Sequence, residues 1–207
     1  MAALRAKSAV KQGVRAPRSD KLRRRTRDDW LRIAKHALIE GGIERVSIEP
    51  LAKRMNVSIG SFYHHFKNRQ ALHDALLAHW EVTNSVPLFD AVRAAGPDPM
   101  SQLEAIFDIW VSETAYDPLY DLAVRAWAHV SAEVSSTLRT VDARRTELLT
   151  SIFLALGYDR ERAFIRSRIT YLTQVGYQDL GITEPREVRN HLRRLYREVL
   201  VGSGPFE

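Results

Sequence analysis

Between Ile59 and Phe66 the chain sets two phenylalanines, Phe62 and Phe66, four residues apart, while Gly60, Ser61, Tyr63 and His64 fall off that apolar stripe. At helical spacing the phenylalanines go to a core and the other four face outward. Gly60 and Ser61 permit close approach of another molecule to the backbone. The first N–H groups of such a helix also present a fixed positive dipole suited to phosphate. An outward face of this kind needs a partner.

His64 and His65 invite a metal reading. Adjacent helical positions diverge by about 100°, and no further His stands four residues from either, so one ion cannot readily use both. The 207 residues include seven His and no Cys. That excludes a disulfide framework, thiolate zinc fingers, iron–sulfur clusters and cysteine nucleophiles. No Gly-x-Ser-x-Gly, phosphate-binding glycine-rich loop or His-Glu-x-x-His occurs. Glu104 and Asp108 lie opposite Leu103, Ile106, Phe107, Trp110 and Val111 on a helix and read as a solvated face. The expectation is a protein without metal or cofactor that is not an enzyme.

The elements that position the exposed face are helical, and no alternating β-branched stretch bounded by hairpin turns interrupts them, so the fold class is all-α. The first helix is predicted over about Arg27 to Gly41, with Thr26 as N-cap, Asp28 and Asp29 in its first turn, and Gly41-Gly42 at its end. Ser47 caps a second helix that runs to about Met55, where Asn56 makes the turn and Ser58 caps the third. A fourth starts near Asn68 and runs toward the breaker at Pro87. Further helices are predicted over about 101–115, 118–133, 135–156, 160–180 and 185–201. Two short helices joined by a tight turn form a helix-turn-helix, whose second helix can enter a DNA major groove. Helical hairpins of ordinary cores share this spacing, so spacing alone leaves both readings open.

Charge is unevenly placed. Residues 1–27 carry ten Lys and Arg against one acid, whereas the segment from Glu81 to Glu207 has no Lys and a formal charge of −4. With few large apolar residues, residues 1–24 cannot bury enough surface to offset chain entropy and are expected to be disordered alone. They read as a solvated extension, as an arm along nucleic-acid phosphates, or as an acid-poor transit peptide. The run Ile152 to Leu156 is far short of the ~20 apolar residues of a membrane span. A cytoplasmic protein with no membrane partner is expected.

The stretch Trp30 to Trp80 includes Ser47-Ile48-Glu49-Pro50-Leu51-Ala52-Lys53-Arg54-Met55-Asn56-Val57-Ser58-Ile59-Gly60-Ser61-Phe62-Tyr63-His64-His65-Phe66-Lys67-Asn68. It closely resembles the N-terminal domain of the TetR family of bacterial transcriptional regulators, most specifically through Val57-Ser58 and Tyr63 to Lys67. The resemblance implies that the third helix reads the major groove of double-stranded DNA. It makes Ser47, Tyr63, His65 and Lys67 phosphate contacts, turns Ile59, Gly60, Ser61 and His64 toward base edges, and counts Ser58 with the DNA-binding residues. Three positions depart from the family pattern: Pro50 in the second helix, Asn56 for the turn glycine, and Arg69 where lysine is common. The implied division is a basic arm at 1–24, a helix-turn-helix domain at 25–85, and an effector-binding and dimerisation domain at 86–207.

In that last segment, residues 169–178 carry no charge. Ile165, Ile169, Leu172, Gly176 and Leu180 form one stripe, and Ser167, Thr170, Tyr171, Gln174, Tyr177 and Gln178 a neutral polar one. Paired with Leu192, Leu195 and Val199, the apolar stripe reads as half of a four-helix homodimer interface. The polar stripe either completes that interface or lines a cavity. Phe107, Trp110, Tyr116, Tyr120 and Trp127 are core aromatics or, with Tyr171 and Gln174, the walls of a pocket for an unidentified small-molecule effector. The leading expectation is a dimeric, ligand-responsive repressor on a palindromic operator. An activator, a constitutive regulator and, less so, an all-α enzyme are the alternatives.

Overall fold

Six helices begin at a side chain that accepts from the backbone N–H three residues on: Thr26, Asn68, Asp98, Asp117, Ser131 and Asp159. Each such cap satisfies a donor that the helix cannot, for about 1 kcal/mol. At Thr26 the arrangement is reciprocal, because Asp29 also accepts from the Thr26 N–H. The computed structural model describes residues 25–202. The arm expected at 1–24 lies outside the described residues.

Among these residues there are nine α-helices and no strand: α1 (Arg27–Gly41), α2 (Ile48–Met55), α3 (Ile59–Tyr63), α4 (Arg69–Ala94), α5 (Pro99–Ser112), α6 (Pro118–Ala128), α7 (Ala132–Ala155), α8 (Arg160–Asp179) and α9 (Arg186–Val201). The chain is all-α, with a helix-turn-helix domain at its N-terminal end. A single 3-10 turn, Ile43–Arg45, links α1 to α2. Asn56 ends α2 at φ 54°, ψ 48°, the left-handed conformation that Asn tolerates. Helix α3 is shorter than its apolar spacing predicts. It stops at Tyr63, and Phe66 reaches the core from the turn that follows.

Two apolar cores form. The first gathers Trp30, Leu51, Phe62, Phe66, Leu72 and Trp80 with Tyr120, Val124 and Trp127 of α6. Phe62 meets the Trp30 ring edge-on at 5.2 Å and stacks on Phe66 at 5.4 Å, which fixes α3 on α1. The second core lies among α5, α7 and α8, around Leu103, Ile106, Leu149 and Phe153.

Helix α4 belongs to both cores, with Leu76 and Trp80 in one and Leu88 and Val92 in the other. It does not end before Pro87, as the breaker predicts, but passes through it to Ala94. Proline inside a helix costs about 3 kcal/mol. Burial of Leu88 and Val92 beyond it offsets that cost at about 1.5–3 kcal/mol per side chain. The boundary expected at residues 85 and 86 therefore falls inside one continuous helix.

Candidate functional site

Helix α3 stands with its outer face uncovered. Gly60, His64 and Lys67 are exposed, as are Ser58 at the start of the helix, Ile59 at 42% and Tyr63 at 57%, whereas Phe62 beneath them is sealed at 0%. A Cβ built on Gly60 would meet only the Ser58 hydroxyl, at 3.6 Å. The fold does not require glycine there. Its missing side chain faces outward, where it leaves room for another molecule.

Ser47 and Ser58 occupy the N-cap positions of α2 and α3, but neither hydroxyl makes the expected capping bond. Both short helices are held by burial instead, and the hydroxyls are left for an external acceptor. Ser47 and Ser61 are half-buried at the edge of the face. His65 is also half-buried, and its Nε2 donates to the Arg25 carbonyl at 2.8 Å. That bond ties the start of the described chain to the C-terminal side of α3. Arg69 turns inward: its Nε donates to the Val46 carbonyl at 2.9 Å and its Nη2 to Ile43 at 3.2 Å. His73, one turn further along α4, donates to the same Val46 carbonyl at 3.0 Å. Sequence reasoning missed this clamp, which fastens α4 to the loop before α2. The (i, i+4) spacing of Arg69 and His73 was its only trace.

A family match lies on these elements. Residues 31–76 fit the model of the bacterial regulatory proteins of the tetR family. The N-terminal helix-turn-helix domain thus matches the TetR type over 46 of the 207 residues. No curated protein matches the full sequence. Solved structures share the fold. A transcriptional regulator from Rhodococcus superposes with a TM-score of 0.68 at 18% identity, over 88% of this chain and 100% of its own. The ketosteroid transcriptional regulator KstR2 of Mycobacterium tuberculosis does so at 0.65 and 17%, over 87% and 95%. The superantigen PfiT also matches, at 0.60 and 18%, over 82% and 94%, so the fold itself does not carry the function.

Beyond this N-terminal domain, the structure divides the aromatic residues. Phe107, Trp110 and Val111 of α5 face Thr170, Thr173, Gln174 and Tyr177 of α8 across a cavity of about 90 Å³, which Leu192, Arg193 and Tyr196 of α9 close. Phe107, Trp110 and Gln174 are thus brought together. Tyr120 and Trp127 are not: they belong to the first core, where the Tyr120 hydroxyl donates to the Leu76 carbonyl at 2.7 Å and Trp127 meets His73 edge-on at 5.5 Å. Their spacing on α6 marked them as buried without showing which core would take them.

Tyr116 and Tyr171 lie behind the cavity. Tyr116 donates to Gln178 Oε1 at 3.0 Å, and Tyr171 is part of a buried ionic cluster. There Arg145 reaches Asp121 at 3.1 Å, Arg125 reaches Asp121 at 3.0 Å and Asp142 at 2.8 Å, and the Tyr171 hydroxyl donates to Asp142 at 2.6 Å. Arg145 also donates to the Asn84 carbonyl and the Ser85 hydroxyl of α4, at 3.0 Å each. Burial raises the Asp121 carboxyl, but the Arg145 and Arg125 charges and hydrogen bonds outweigh it and hold the group below its usual range. Burial likewise pushes the Tyr171 phenol up to about 12.

The two stripes of α8 separate as the periodicity implies. Ser167, Thr170 and Tyr171 of the polar stripe are buried against the molecule, whereas Ile165, Ile169, Leu172 and Leu180 are exposed. Leu195 and Val199 of α9 are exposed too, Gly176 is half-buried, and Leu192 turns into the cavity wall. Of the two carboxylates read as a solvated face, Asp108 is exposed and Glu104 is half-buried. Both pair with Arg193, and Glu104 also with Arg197, so they fasten α5 to α9. Ion pairs between helices so far apart in sequence leave no periodic signal.

Proposed function

We propose that the chain is a ligand-responsive repressor that binds a palindromic operator as a homodimer in the cytoplasm. The observation that carries this reading is the coexistence of two uncovered faces of opposite chemistry. One is the glycine, hydroxyl and basic face of α3. The other is an apolar face on α8 and α9 on which Ile169 is 50%, Leu172 57% and Val199 78% exposed. Exposed apolar side chains contiguous on a helix pair mark an interaction surface. A surface used by two identical copies brings two reading helices into two-fold symmetry.

In this reading Lys67, Tyr63, Ser47, Ser58 and His65 hold phosphates, while Ile59, Gly60, Ser61 and His64 read base edges. Ile165, Ile169, Leu172, Gly176, Leu195 and Val199 meet their copies in the dimer, and the α5–α8–α9 cavity takes the effector. The basic arm at 1–24 runs along neighbouring phosphates. Selecting bound sequences from random DNA tests the whole: two inverted half-sites one helical turn, or a multiple of one, apart are expected. A single asymmetric site would overturn the dimeric reading.

A further inference from the structure

The cavity between α5, α8 and α9 has a polarity that its aromatic walls do not predict. Its charged groups are already matched: Arg189 is bound by Glu113 at 2.7 Å and by the Trp110 carbonyl at 2.7 Å, and Arg193 by Asp108. Glu184 accepts from the Tyr177 hydroxyl at 3.1 Å. Arg193 Nε faces Glu104 at 3.5 Å. Gln174 Nε2, by contrast, is a buried N–H donor with neither a hydrogen-bond partner nor a facing carboxylate, and its residue lines the cavity. A buried donor left unpaired is costly, so an occupant that supplies an acceptor gains at this point.

We propose that this cavity binds an uncharged, mostly apolar molecule bearing a carbonyl or ester oxygen. The oxygen accepts from Gln174 Nε2, and the apolar part lies against Phe107, Trp110, Leu192 and Tyr196. The proposal rests on the ligand-responsive reading above and adds the class of ligand to it. A carboxylate is disfavoured because Glu184, Glu113, Glu104 and Asp108 already surround the two arginines. A purely apolar molecule fills the walls but leaves the Gln174 amide unpaired. The resting volume of about 90 Å³ admits only a small molecule. A larger one extends out of the open side or displaces α9, whose only buried side chain is Leu200 and which ion pairs with Glu104, Asp108 and Glu113 hold in place.

The test uses the full chain without DNA and three ring compounds of similar size: acetophenone, ethylbenzene and benzoate. Calorimetric titration is combined with the side-chain amide resonances of Gln174. Acetophenone is expected to bind about three- to tenfold tighter than ethylbenzene and to shift the Gln174 amide, the range that one net hydrogen bond gives. In Gln174→Leu that preference is expected to shrink while ethylbenzene binding persists. Tightest binding by benzoate would overturn the neutral-ligand assignment. Saturable binding by none of the three would overturn the site. Operator binding by the ligand-free protein, measured separately, is independent of either result, so a failure of this site is distinguishable from a failure of the DNA-binding reading.

Discussion

Arg145 of α7 and Asp121 of α6 meet at 3.1 Å with side-chain exposures of 3% and 1%. The same carboxylate accepts from Trp80 Nε1 of α4 at 3.1 Å, and Arg145 holds the backbone of α4 at Asn84. One buried ion pair therefore joins α4, which belongs to both cores, to α6 and α7.

Removing one partner of such a pair leaves an uncompensated buried charge. Asp121→Asn is expected to lower stability by about 3–5 kcal/mol in urea denaturation. The double variant Asp121→Leu with Arg145→Met, which removes both charges, is expected to lose less than the sum of the two single changes. Strict additivity would show that the pair is not coupled.

Gly60 separates DNA binding from folding. A side chain at this position meets open space, so Gly60→Leu is expected to leave the thermal midpoint unchanged or slightly higher, because leucine favours helix by up to about 1 kcal/mol over glycine. DNA affinity should fall sharply, since the added bulk stands between α3 and the groove. Normal affinity measured by fluorescence anisotropy would remove α3 from the interface.

The proposed phosphate and base contacts are expected to respond differently to salt and sequence. Lys67→Ala is expected to weaken binding to all sequences and to flatten the slope of log affinity against log salt by about one unit. Ser61 and His64 substitutions should re-rank half-sites by ~1–3 kcal/mol. Deleting residues 1–24 should lower affinity most at low salt without changing sequence preference.

Acid destabilises this fold in a predictable window. Burial holds His73 below its ordinary value, so as pH falls below about 6.5 the unfolded chain takes up a proton that the native site refuses. Stability is full above that pH and is expected to decline below it, by at most about 1.4 kcal/mol per pH unit for this group. His73→Gln keeps a donor for the Val46 carbonyl and should show a shallower decline between pH 6.5 and 5. An unchanged pH profile would place the acid sensitivity elsewhere.

The proposed dimer contact is expected to be separable from folding at Gly176, where a Cβ meets nothing within 4 Å. Gly176→Phe is expected to yield folded monomers by analytical ultracentrifugation, with helical content retained. A dimer of undiminished strength would locate the interface on another face.

Which features could be read from the sequence follows from the range of the interactions. Thr26 with Asp29, Asn56 in the turn, and the Phe62–Phe66 pair are local, so the helix-turn-helix was legible in consecutive residues. The two faces of α8 were legible as well, because a period of 3.6 writes them into the residue order. Pro87 misled because its local cost is overridden by the burial of Leu88 and Val92, which depends on helices distant in sequence. The Asp121–Arg145 pair, the Glu104 contacts with α9, and the assignment of Tyr120 and Trp127 to the first core are set by the same long-range packing. None of these leaves a periodic or spacing signal.

The passage of α4 through Pro87 has a mechanical consequence. Proline removes one rung of the hydrogen-bond ladder, so this is the most compliant point of an otherwise stiff rod. From there to Arg69 the rod is eighteen residues long, or about 27 Å at 1.5 Å per residue. A flexure of only about 10° at Pro87 would carry the far end sideways by about 5 Å, more than the rise of one base pair in the duplex. In the dimeric reading proposed above, leverage of this kind would turn an ångström-scale adjustment of α4 into a displacement that two linked half-sites could not both accommodate.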